Sequence, residues 1–277
     1  VKRTVIARIG ALVGTLALLA PPALAGGPDE QRKVDDRPAR VAAAYRVAEW
    51  PAPGPARAGV APRGLDAGEW QRAGYEVDPR RGEGVLRLAR GEDVAVLTAR
   101  VLERPADARA ELLGKLGAMQ RLLEPVPGVG EVSFGVRDPK GRWSLVLAVR
   151  GNVLFEARAA EGDLEADALV GLALLFDRLV LEAPPVEPGQ AVGPRLLGVR
   201  VTPARAGVPA VVTLDADPAG VPVAHVAFEC TGGAGVLETD AGFELMAPEA
   251  GAVRITVFAA SKDLRITRAE VTVEVAR

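Results

Sequence analysis

The chain has little of what most enzyme mechanisms need. Among 277 residues it holds one cysteine, Cys230, and one histidine, His225. A single cysteine excludes an intramolecular disulfide, so stability rests on packing. Zinc sites of the common kind draw on several His or Cys ligands, and one of each cannot furnish them; no metal and no cofactor are expected. Serine is nearly as scarce: Ser133, Ser144 and Ser261 are the only ones, and none stands in a G-x-S-x-G setting. A Ser/His/Asp triad would have to recruit His225, which alternates with Val226 and Phe228 and so points to the outer face of a strand. Cys230 shares the phase of Val226 and Phe228 and reads as a small core residue, not as a nucleophile.

Basic excess is missing too, with 34 Lys and Arg against 36 Asp and Glu and a formal charge of −2. Nucleic acid is therefore not an expected partner, because binding it requires a basic surface that neutralises phosphates. The longest apolar stretch, Ile9 to Ala20, is about a dozen residues, against the roughly 20 that a membrane-spanning helix needs, so no membrane span is expected.

What that stretch does fit is a cleavable export signal. Lys2, Arg3 and Arg8 form a charged start, the apolar stretch follows, and Ala23-Leu24-Ala25 ends it as an A-x-A cleavage site. Cleavage is expected after Ala25, which removes three basic residues and takes the formal charge from −2 to about −5. No Cys near the junction accepts lipid and no twin-Arg pair precedes the apolar stretch. The expected address is the periplasm or the external medium. With 49% hydrophobic residues the remainder is rich enough for packed cores.

Residues 26–84 read as a flexible leader followed by a Pro-rich segment. Prolines at 51, 53, 55 and 62 forbid a continuous helix or a central strand there, with a short helix near Val41–Ala48 and Trp50, Trp70 and Tyr75 placed to pin the segment onto a neighbour. Residues 85–182 change to a regular α+β pattern. Strand-like runs cover Val85–Arg90 and Val94–Leu102. A helix then opens on Pro105, repeats Leu112, Leu116, Met119 and Leu123, and stops at Pro125 and Pro127. A second helix starts near Asp163, places Ala168, Leu172, Leu175 and Leu179 on one face, and ends at Pro184-Pro185.

Between the helices lie three strands whose register follows from the turns. A type I turn over Asp138-Pro139-Lys140-Gly141 sets Val136 opposite Trp143 and gathers Val132, Phe134, Val136, Trp143, Leu145 and Leu147 on one face. At the next turn, a two-residue Gly151-Asn152 loop would mix Glu156 into that face. A three-residue loop, Arg150-Gly151-Asn152 with Asn152 left-handed, avoids this and is preferred. The expected fold is an antiparallel sheet with both helices on its one apolar face. The opposite face then presents Arg137, Arg142, Arg150 and Arg158 together, a candidate site for an anion or a partner.

Residues 183–194, within the run EAPPVEPGQAVGP from Glu182 to Pro194, read as a semi-rigid linker. From 195 to 277 the period becomes two: Leu197, Val199 and Val201, Val253, Ile255 and Val257, Val271, Val273 and Val275 alternate with polar or small residues, with turns at short intervals. The runs VRVTPARAGVPAVVTLDA, GVPVAHVAFEC, FELMAPEAGAVRITVFA and AEVTVEV resemble a bacterial immunoglobulin-like domain of exported and cell-surface proteins. The resemblance covers the C-terminal third, lacks the Cys-Trp-Cys core of antibody-type domains, and implies an all-β sandwich that serves as spacer, stalk or binding module.

The remaining chemistry is carboxylate chemistry, since two acids about 5–10 Å apart hydrolyse glycosides without histidine. Glu156, Glu161, Asp163, Glu165 and Asp167 cluster in sequence, though a solvated strand end and helix start explains them as well. Asp215, Asp217 and Asp240 lack a spaced calcium-loop motif. Gly128-Val129-Gly130 and Gly232-Gly233-Ala234-Gly235 read as turns. The expectation is an exported, non-enzymatic protein whose partner is another protein or an envelope component. Two alternatives stay open: a histidine-independent hydrolase with paired carboxylates, and a structural subunit of an envelope assembly.

Overall fold

The computed structural model describes residues 37–187 and 193–277. The expected export signal, its cleavage point at Ala25 and the stretch 26–36 lie outside them, as do residues 188–192 of the expected linker. The described chain is mostly strand, with α-helices α1 (Arg37–Ala44), α2 (Pro105–Ala118) and α3 (Ala168–Glu182).

Seven strands form one antiparallel sheet: β2 (Gln71–Asp78), β3 (Glu83–Arg90), β4 (Asp93–Val101), β5 (Glu124–Pro125), β6 (Val132–Arg137), β7 (Trp143–Arg150) and β8 (Val153–Glu161), in the spatial order 2-3-4-8-7-6-5. The helices do not share a face of it. Along β7, Val146 and Ala148 join Phe155, Leu169, Leu172 and Phe176 in one core under α3, while Leu147 and Val149 join Phe134, Leu112 and Leu116 in a second core under α2. The expected single apolar face is thus corrected to two. The reason is visible in β7 and in the start of β8, where consecutive apolar residues mark strands buried on both sides.

Register differs as well. Gly141 takes a left-handed φ of 81° and Asp138 N–H donates to Arg142 O at 2.8 Å, so the turn is one residue longer than expected, and a bulge after Val136 adds another. Val136 therefore faces Leu145, which keeps Leu145 and Leu147 on their expected side, but Trp143 crosses to the α3 core. At the next turn the disfavoured two-residue loop is the real one: Arg150 pairs with Val153 and Leu147 with Glu156. Gly151, with φ 54°, supplies the left-handed residue. Asn152 is fully buried and acts as a tie: it accepts from Arg57 N–H at 2.6 Å and donates to Leu102 O at 2.8 Å.

Helix α2 ends at Ala118, before either proline, and Met119 is already extended with ψ 143°. Helix α3 starts at Ala168, five residues after Asp163, and buries Leu169, Leu172, Ala173, Phe176 and Val180, a stripe turned by about one residue from the expected one.

The rest of the chain forms two four-stranded sheets around one core. β10 (Leu196–Val201), β12 (Ala210–Ala216), β15 (Gly242–Met246) and β14 (Gly235–Thr239) make the first, in that order. β11 (Ala204–Arg205), β17 (Ile266–Ala276), β16 (Gly251–Ala260) and β13 (His225–Cys230) make the second. Val212, Leu245, Val253, Ile255 and Val257 fill the space between them.

The segment expected to be loose is held. Val60, Leu65 and Ala67 are buried in the α3-side core, Trp70 and Tyr75 pack against it, and residues 71–78 form an edge strand of the large sheet. β1 (Ala56–Arg57) pairs with β9 (Pro185–Val186), so the expected linker is partly paired. Residues Val41–Arg277 form one compact unit. Its union has a visible cause: Leu264, in the hairpin between β16 and β17, has no exposed surface and belongs to the core under α3.

Candidate functional site

The four arginines do not form the expected patch. Arg150 lies on the α3 side, where Nε and Nη2 grip Asp177 of α3 at 2.5 and 2.7 Å and Nη2 also donates to Gly130 O at 2.9 Å. Arg158 is exposed on the α2 side, opposite Val96 and Leu145. Arg142 binds Asp138 and lies 2.5 Å from Asp163, and Arg137 covers the Trp143 ring at 3.9 Å with Glu124 at 3.5 Å. The two-residue loop put Arg150 and Arg158 on opposite faces, and three of the four are spent on acids.

The acidic cluster is likewise divided. Glu156 lies on the α2 face and is held by Lys115 at 2.9 Å; Asp163 is held by Lys140 and Arg142; Glu165 lies 3.7 Å from Arg90. Asp107, Asp138 and Asp163 are all held below the usual carboxylate range, chiefly by hydrogen bonds from Arg104, from Arg142, and from Lys140 with Arg142. A glycosidase acid needs the reverse, a carboxyl that keeps its proton near neutral pH.

Sequence reasoning did not find a groove of about 450 Å³ between residues 45–51 and the loop 125–130. Its floor is Phe134, near the outer strands of the large sheet. Tyr45 meets that ring edge-on, with centroids 4.9 Å apart, and Trp50 tilts over it at 6.0 Å. Pro51, Pro125 and Pro127 line the groove. Three of its polar side-chain atoms are engaged internally: Trp50 Nε1 donates to Tyr45 O at 2.9 Å, Tyr45 Oη accepts from Leu123 N–H at 3.1 Å, and Ser133 Oγ donates to Val126 O at 2.5 Å. The lining residues Arg46 and Glu49 are exposed and 3.8 Å apart. Leu122, 66% exposed, precedes Leu123, whose N–H meets Tyr45 Oη. The prolines and Trp50 were legible as chain breakers and an anchor. That Trp50 and Pro51 meet Phe134 was not, because more than 80 residues separate them.

His225 is half-buried, and burial followed by the charge of Arg63 holds it below the usual imidazole value. Cys230 is also half-buried, packed against the core between the two small sheets, and burial raises its thiol. No protein-family model matches the chain, and no curated protein matches it.

Proposed function

We propose that this chain is an exported, non-enzymatic binding protein whose groove at Tyr45, Trp50 and Phe134 takes apolar side chains of a protein partner. The observation that carries the proposal is the groove itself. Its lining brings together the rings of Tyr45, Trp50 and Phe134 with Pro51, Pro125 and Pro127, the polar atoms of those rings and of Ser133 are used internally, and the charged lining residues Arg46 and Glu49 are exposed. Among the rings and prolines a polar small molecule would find few free partners, whereas apolar side chains lose nothing on entry. The paired-carboxylate hydrolase is disfavoured because Glu156, the one half-buried acid of the expected cluster, is held by Lys115, and the others lie exposed on the surface.

The C-terminal sheets support an immunoglobulin-like reading: two four-stranded layers, alternating inward residues and a shared core. Because Leu264 is embedded in the neighbouring core, such a sandwich positions the groove and does not act as a loose tether. The arrangement of charge and apolar residues at the N-terminus supports export.

The test pairs location with capture. Fractionation and N-terminal sequencing of the native protein should find it outside the cytoplasm, starting at Gly26. The mature protein should retain a specific envelope protein that Pro51→Arg and Pro127→Arg each release and that Leu237→Asp, at an exposed site on the C-terminal sheets, does not. Retention unaffected by both groove variants, or a cytosolic protein with its first residues intact, defeats the reading.

A further inference from the structure

A second cleft, of about 260 Å³, opens where the large sheet meets the hairpin between β16 and β17. Arg81 comes from the turn after β2, Arg100 and Glu103 from the end of β4, Asp107 from the first turn of α2, and Arg265 and Ile266 from the hairpin. Three guanidinium groups from three elements thus border one small space.

Their hydrogen-bonding capacity is only partly used. Arg100 donates Nε to Arg81 O at 2.9 Å and Nη1 to Glu111, and its Nη2 has no partner among the described residues. Arg265 Nε lies 3.0 Å from Asp263 Oδ2, yet it is buried and makes no hydrogen bond. Arg81 is 69% exposed, with its nearest acid 3.9 Å away. The acid facing these groups is occupied elsewhere: both oxygens of Asp107 accept from Arg104 at 2.9 Å. Glu103 is exposed. Spare N–H donors on arginine select planar or tetrahedral oxyanions, and clefts between packed units are favoured ligand sites.

We propose that this cleft binds a small oxyanion, a carboxylate or a phosphate, held between Arg100 and Arg265 with Arg81 closing the solvent side. The ligand would touch both the large sheet and the sandwich hairpin, so its binding favours the folded chain. The site is separate from the aromatic groove and does not depend on the role assigned to it.

Titration of the mature protein with inorganic phosphate and, separately, with succinate tests this by calorimetry and thermal unfolding, with sodium chloride at matched ionic strength as reference. At least one of the two anions should bind saturably at one site and raise the melting temperature beyond chloride. Phosphate alone identifies a phosphate-type ligand, and succinate alone a carboxylate. The variant Arg81→Glu/Arg265→Gln should weaken that binding at least tenfold, while Arg254→Glu, on the exposed side of β16, leaves it unchanged. Should the double variant not fold, Arg81→Glu alone should still weaken it severalfold. Binding undiminished in the folded variant, or no effect of either anion beyond chloride, overturns the proposal.

Discussion

Leu264 stands directly against Gly84: a methyl group on Gly84 would lie 2.9 Å from Leu264 Cδ1 and 2.9 Å from Tyr75 Oη. Leu264 reaches this position with a φ of 66°, a left-handed conformation that costs a branched residue about 1–2 kcal/mol. Burial of its side chain offsets that cost. This contact between two residues 180 positions apart, together with Arg80 Nη2 donating to Phe228 O at 3.0 Å, joins the C-terminal sheets to the first part of the chain.

Leu264→Ala should therefore cost about 2–5 kcal/mol in urea unfolding, and Gly84→Ala about 1–3 kcal/mol through overpacking. Trp50, Trp70 and Trp143 all lie before the C-terminal sheets, so fluorescence reports the first part alone while far-UV dichroism reports both. The two transitions should coincide in the parent chain and separate in Leu264→Ala.

The pair Arg150–Asp177 is the most enclosed of the arginine contacts formed by the four candidate residues, with the Asp177 side chain 5% and the Arg150 side chain 19% exposed. Removing one partner strands the other's charge, so Asp177→Asn and Arg150→Met should each cost about 3–5 kcal/mol. The double variant Arg150→Met/Asp177→Leu should recover a large part of that loss. A double-mutant cycle by chemical denaturation checks this, and strictly additive losses would contradict it.

Glu156 and Lys115 follow the same logic on the other face. Lys115→Met leaves a carboxylate beside Leu147 and should be clearly destabilising. Glu156→Leu/Lys115→Met replaces the pair by apolar contact and should come within about 1 kcal/mol of the parent or exceed it. Thermal unfolding of the three chains decides between these outcomes.

His225 makes stability depend on pH in the mildly acidic range. Because burial and Arg63 depress its folded value, the unfolded chain takes up the proton first as pH falls. Stability should drop as pH is lowered through about 6.5 and level off once the pH passes below the folded value. His225→Gln should flatten that slope. Asp107, Asp138 and Asp163, also depressed, act only at lower pH, near about 4 and below. An unchanged slope in His225→Gln would assign it elsewhere.

Much of the strand and helix inventory was readable from periodicity. The runs at 85–90 and 94–102 are β3 and β4, the 105 helix opens on its proline, and the alternation after 195 marks the two small sheets. Faces were harder. Glu156 argued for a three-residue loop only while its partner was unknown; Lys115, 41 residues earlier, neutralises it on the apolar side. The expected arginine face dissolved for the same reason, since Asp177 on α3 claims Arg150. Polar strand residues are consistent with solvent or with a paired partner in a second layer, and local pattern does not distinguish the two.

Sequence alone determined what this chain lacks, the scarcity of cysteine, histidine and serine that excludes most catalytic constellations, together with the period of nearly every element. It determined these because composition and local alternation are properties of neighbouring residues. Which residues meet was decided by tertiary structure: Phe134 beneath Trp50, Asp177 beneath Arg150, Leu264 against Gly84. Each joins positions 27 to 180 residues apart. Such contacts are chosen by the packing of whole layers, a sum over many weak terms that no local stretch carries.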